Sequence, residues 1–123
     1  MTTYTESGRA LDFLLSEAPG TLSRDTVTLA AGTGTVLAGT VLGALASGKY
    51  AAFNEDDSSD GPVTASAILC YDTDITADAT ATVISRLAEV DGNLLVWASE
   101  NDAGDKTAGI AELATQFIKV RVR

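Results

Sequence analysis

The sequence predicts an α+β domain that is mostly β: a small compact β-rich body with one C-terminal helix and an extended N-terminal arm. Three observations carry this. Apolar runs of a few residues recur along the chain, and each is closed by a turn, as in short strands. The segment Thr107 to Phe117 places Ile110, Leu113, Ala114 and Phe117 at helical spacing. At the N-terminus a polar stretch and a small apolar group precede Pro19-Gly20, which breaks both helix and ladder. The parse is an arm over residues 1–24 and a β-rich domain over 25–123.

Within the arm, Met1 to Gly8 is polar, and Leu11, Phe13, Leu14 and Leu15 form the apolar group. One reading of that group is a short strand or turn packed on its own core. The reading taken here is a segment that becomes ordered on a partner. Asp25 to Leu29 alternates and is rich in β-branched residues, which predicts a strand containing Val27. Ala30 to Gly34 is a turn. Thr40 to Leu45 is a second β segment and Ser47-Gly48 a tight turn. Lys49 to Phe53 is a third strand, with Tyr50 and Phe53 on opposite faces.

Asn54 to Pro62 is an acidic loop. Val63 to Tyr71 is a fourth strand whose continuous apolar middle predicts burial on both faces. Asp72 to Asp74 starts a turn, and Ala77 to Thr80 suits a single helical turn. In Ala81 to Val90 the alanines favour helix, whereas Thr82, Val83, Ile84 and Val90 favour strand. The Asp91-Gly92 turn that follows, and Leu94 to Trp97 after it, decide for strand. The helix over 107–117 runs into a last strand, Phe117 to Val122.

Composition narrows the function. The 123 residues suit one domain. A hydrophobic fraction of 46% is enough for a core, but much of it is alanine and aromatics are only 6%. A light core of this kind gains by burying surface against copies of itself or a neighbour. The net charge of −9 repels phosphates, so no nucleic-acid partner is expected. No apolar run approaches the roughly 18 residues of a membrane span, so no membrane partner is expected. The stretch Met1 to Glu6 lacks the basic-then-apolar pattern of a secretory signal.

Chemistry is poorly supplied. There is no histidine, hence no usual general base or zinc ligand. Cys70 lies in an apolar run and reads as a small core residue. Asp56, Ser58, Asp60 and Gly61 begin like a calcium loop, but the twelfth position is Ala67 rather than a bidentate glutamate. Asp72, Asp74 and Asp78 sit among threonine and alanine, with nothing to raise a pKa for acid–base work. Gly32, Gly34 and Gly39 lack the GK[ST] signature of a phosphate loop and read as turns. Arg121 and Arg123 alternate with Val120 and Val122, as on an edge strand with one solvent face. Trp97 reads either as core or as an interface anchor. No catalytic site, metal or cofactor is expected.

The order of short segments is Ala38 to Gly43, Gly48-Lys49-Tyr50, Ala67-Ile68-Leu69, Arg86 to Val90, Leu95-Val96-Trp97 and a basic tail from Ile118 to Arg123. It resembles the head decoration (capsid-stabilising) proteins of tailed bacteriophages, the family of lambda protein D. The likeness covers roughly residues 25–123. It departs at Ala98, where lambda-type members have proline, and in the longer acidic loop over 54–60. The resemblance implies a virion protein made in the bacterial host cytoplasm and carried on the outer surface of the head. It implies a homotrimer that binds the major capsid protein and cements capsomers against internal DNA pressure. The arm residues Leu11, Phe13, Leu14 and Leu15, with Val27 just beyond, are then the expected capsid contact. A tail or fibre β-module is the alternative, and a small Asp-dependent hydrolase a more distant one.

Overall fold

The structure, a computed structural model, describes residues 11–54 and 61–122. Among the described residues, ten strands and one α-helix follow in order: β1 (Leu14–Glu17), β2 (Arg24–Leu29), β3 (Thr35–Val36), β4 (Val41–Ala44), β5 (Tyr50–Ala52), β6 (Ala65–Leu69), β7 (Thr73–Asp74), β8 (Ala79–Ile84), β9 (Ala88–Asp91), α1 (Ala103–Thr115) and β10 (Ile118–Arg121). A 3-10 turn, Gly92–Leu94, follows β9. The α+β, mostly β architecture with one late helix is as the sequence predicts.

Strands β2, β5, β4, β6 and β8 close into a small barrel. Its longest pairing is β2 against β8, antiparallel from Arg24↔Ile84 to Leu29↔Ala79. Leu29, Leu42, Ala67, Leu69, Ala81 and Val83 fill the barrel, with Val27, Val36, Tyr50 and Ile75 packed against them. Alanine at positions 67 and 81 suits so narrow a closure. Outside the barrel, β1, β9 and β10 make a three-stranded sheet, β1 antiparallel and β10 parallel to β9. A second core lies between this sheet, α1 and the barrel wall; it contains Phe13, Phe53, Ile68, Ile84, Val90, Leu113 and Ile118.

Strand β6 serves both cores. Ala67 and Leu69 point into the barrel, whereas Ala65, Ile68 and Cys70 face the second core. A register shift against β4, between Leu42 and Gly43, changes the phase so that Ala65 and Ile68 share a side. The two-faced burial expected of this run is therefore present. Tyr50 packs on the barrel core and Phe53 in the second core, as their odd spacing requires.

Helix α1 starts earlier than the apolar spacing implies. Asp102 accepts from the Asp105 N–H at 2.8 Å, and the Asp105 carboxylate accepts from the Asp102 N–H at 3.0 Å. This reciprocal capping box sets the start at Ala103. The buried stripe is Asp105, Gly109 and Leu113. Ala114 and Phe117, expected on that face, are exposed: Ala114 lies one position round from the buried Leu113, and Phe117 lies beyond the end of the helix at Thr115.

Four other expectations are corrected. Residues 81–90 are extended but not one strand: the chain turns at Ser85–Leu87, where Leu87 takes φ +55°. Ala77 to Thr80 forms no helical turn; Ala79 and Thr80 already pair with β2. Thr73–Asp74 is not only a turn but pairs with Thr35–Val36 in a two-residue ribbon. Leu94 to Trp97 is not a strand: the 3-10 turn takes Leu94, and Val96 makes only an isolated bridge to Thr40.

The largest correction concerns the arm. Residues 1–10 lie outside the described residues, but Leu11 to Arg24 belongs to the body. Phe13 is 2% exposed and sits in the second core. Leu14, Ser16 and Glu17 pair with Val90, Glu89 and Ala88. The short strand packed on its own core is the arrangement found. The free edge of β9 draws this segment in, because pairing satisfies its backbone groups while Phe13 leaves water.

Candidate functional site

The residues expected to contact a partner fall in different environments. Leu11 is half-buried at a turn, with φ +65° and its carbonyl accepting from the Leu14 N–H at 3.0 Å. Phe13 is buried and Leu14 half-buried against the same core, whereas Leu15, on the other side of β1, is 37% exposed. Val27 lines the barrel. Phe13 and Val27 thus spend their side chains on the body. Trp97 is half-buried, edge-to-face with Phe53 at a ring separation of 6.0 Å. It lies so close to Gly109 that a Cβ there would come within 2.9 Å of the indole. Trp97 therefore packs α1 onto the body.

The polar candidates are occupied by the fold. Asp72 accepts from the Ala38 N–H at 2.7 Å, and Asp74 from the Thr76 N–H at 2.9 Å. Asp78 accepts from Lys49 Nζ at 2.6 Å and from the Ala31 N–H at 2.8 Å; the lysine first, then the amide, hold its carboxyl below the usual range. Each of these aspartates staples a loop. Glu17 binds Arg24 through two bonds, at 2.6 and 3.0 Å, and also accepts from the buried Ser23 hydroxyl. Arg24, then Ser23, lower the Glu17 pKa. Cys70 is fully buried, and desolvation pushes its thiol up to about 11, so it is a core residue rather than a nucleophile.

Among the described residues no cluster of three or more potential metal ligands occurs. Asp56, Ser58 and Asp60 of the calcium-like loop lie outside the described residues; Ala67, at the loop's twelfth position, is buried in β6. Arg121 lies on β10 and pairs with Glu89, while Arg123 is outside the described residues. No helix among the described residues is long and apolar enough to cross a membrane.

What remains is apolar and exposed. Two groups stand at opposite ends of β9. Ahead of the strand, Leu87 is 43% and Phe117 74% exposed. They are register neighbours, since Ala88 pairs with Ile118 and the Ala88 N–H donates to the Phe117 carbonyl at 3.2 Å. Both take the left-handed conformation, φ +55° and +60°. Beyond the strand, Asn93 to Val96 and Leu37-Ala38 wall a cavity of about 250 Å³, with Asp72 at its side. Leu37 and Leu94 are 44% and 48% exposed there. The Thr40–Val96 bridge and the Asp72–Ala38 hydrogen bond fix its walls.

Sequence reasoning missed both groups. The helical spacing places Phe117 at the end of the apolar stripe, and the β-branched run places Leu87 inside a strand. The missing signal is the absence of glycine: left-handed positions normally carry it, and a leucine and a phenylalanine stand there instead.

No curated protein matches the sequence. The family model of the bacteriophage lambda head decoration protein D matches residues 3–118. That family is a structural one, of proteins that decorate the exterior of the phage capsid. The match spans the barrel, strands β1 and β9 of the outer sheet and all of helix α1, so the chain belongs to the bacteriophage lambda head decoration protein D family.

Proposed function

We propose that this chain binds the outer surface of the expanded head as a homotrimer and cements neighbouring capsomers against internal DNA pressure. The observation that carries the reading is the family match over residues 3–118. The surface supports it. The described carboxylates that were candidates for chemistry are tied up in loops, while Leu37, Leu87, Leu94 and Phe117 are left in water. Exposed apolar groups of this kind mark protein partners. The partners on this reading are the major capsid protein and further copies of this chain, with neither nucleic acid nor membrane. Leu15, exposed on β1, is the side chain of the described N-terminal segment left to reach the capsid.

The physical account needs no reaction. Packed DNA strains the joints between capsomers, and a trimer spanning a joint adds binding free energy that must be lost before the joint opens. Many modest contacts add up through avidity. Preference for the expanded head follows if expansion completes the binding surface.

The expected result is a higher rupture temperature. DNA-filled heads lacking this protein, heated with and without saturating purified protein, should release DNA several degrees later when it is present, with unfilled heads as a binding control. Equal release temperatures at full occupancy would contradict cementing. A few copies per particle, rather than hundreds, would favour a tail or fibre module.

A further inference from the structure

We propose that copies of this chain join head to tail, the Phe117 ring of one copy entering the Leu37–Leu94 cavity of the next, so that three copies close a ring. The inference rests on the homotrimer reading and names the contact that makes it.

Phe117 occupies the position just after the C-cap of α1, where glycine is usual. A bulky side chain at φ +60° is strained, and the strain persists only if the surroundings over-determine it. They do: the Phe117 N–H donates to the Ala114 carbonyl at 3.0 Å, and its own carbonyl accepts from Ala88. The adjacent Leu87 carbonyl accepts from the Ala18 N–H at 3.0 Å. Backbone bonds on both residues hold the ring outward, 74% exposed, before any partner arrives. A side chain held in its bound position loses little freedom on docking.

The cavity suits one side chain. At about 250 Å³ it falls below the ~300–1,000 Å³ of small-molecule sites, and Leu37, Leu94, Leu95 and Val96 give it apolar walls. Knob and socket belong to one chain but cannot meet within it. They lie at opposite ends of β9, whose four residues span about 13 Å. A two-fold contact needs one self-complementary patch, whereas two different patches that fit each other make a head-to-tail contact, which ends only by closing a ring.

Area argues for closure as well. One aromatic side chain offers roughly 150–250 Å². That is far short of the ~800 Å² per partner of a stable pair. Leu87 beside the knob, and Val122, 77% exposed beside Gly92 at the socket end, add to it. Each subunit of a ring uses both ends, so trimers form without populated dimers.

The test joins cross-linking to mass. A chain carrying both Gln116→Cys, beside the knob, and Asn93→Cys, at the socket, is treated with a short bis-maleimide, free in solution and on decorated heads. The native Cys70 is fully buried and should not react. The expected product is a covalent ladder ending at three chains, with neither single variant cross-linking. Phe117→Ser should require at least tenfold higher concentration to trimerise in sedimentation equilibrium, with an unchanged circular dichroism spectrum; Phe117→Leu should stay close to wild type. Cross-linked pairs from Gln116→Cys alone would overturn the head-to-tail contact, as would a wild-type trimer whose double variant does not cross-link. Wild-type chain that is monomeric in solution and shows no threefold clustering on heads would instead remove the homotrimer reading itself.

Discussion

Phe13→Ala is expected to destabilise the isolated domain by about 3–5 kcal/mol, the range for deleting a buried aromatic ring. Phe13 is 2% exposed and packs in the core between the outer sheet and the barrel wall. Its carbonyl accepts from the Asp91 N–H at 2.7 Å, which ties the start of the described chain to the end of β9. Small domains have only about 5–15 kcal/mol to lose, so the variant should be marginal at 37 °C. Leu15→Ala, two residues on and exposed, should cost under about 1 kcal/mol. Urea titrations at one fixed protein concentration read both. A large fall in midpoint for Phe13→Ala with a near-normal midpoint for Leu15→Ala is the expected pair. A wild-type midpoint for Phe13→Ala would mean that this segment is not part of the folded body and would restore the detached arm.

Gly43→Ala should be nearly as damaging, through one methyl group. Gly43 lies in β4, paired on one side with Ala51 and on the other with Ala65. An added Cβ would stand 2.7 Å from the Pro62 carbonyl oxygen, 2.8 Å from that of Thr64 and 2.9 Å from the Pro62 carbonyl carbon. All three are backbone atoms, so no rotamer change relieves the clash and β4 must part from β6. The cost expected is about 3 kcal/mol, the upper end for overpacking. Gly109→Ala is the comparison. Its Cβ would meet the Trp97 and Phe53 rings at 2.9 and 3.1 Å, but side chains can shift, so about 1–2 kcal/mol is expected. Thermal melts of the two variants should fall in that order. Equal melting temperatures for Gly43→Ala and wild type would contradict the close approach of β4 to the Pro62–Thr64 backbone.

Strands β2, β4, β5, β6 and β10 were legible because each carries its signal locally, in alternation or in a continuous apolar run. The early start of α1 was also legible in principle: Asp102 and Asp105 have capping-box spacing, though with aspartate at both places. Other features rest on distant partners. The ribbon of β3 and β7 joins Thr35 to Asp74, and neither short segment has a pattern of its own. Phe13 reads as an arm residue until β9 supplies an edge for the strand that follows it. The break at Leu87 and the outward turn at Phe117 defeat local reasoning because the residue types contradict the backbone they adopt. Those two positions are also where the candidate surface lies. Their side chains follow a need that the isolated fold does not explain, and their left-handed backbone is the one sign of it.

The most direct test of the account is a reconstruction by electron cryomicroscopy of expanded heads lacking this protein, incubated with the purified chain to saturation. The account predicts added density on the outer surface in threefold clusters. Each cluster should fit three copies of the barrel, with Phe117 of each copy at the Leu37–Leu94 cavity of its neighbour. Heads without added density, or with the chain bound inside the shell, would contradict it.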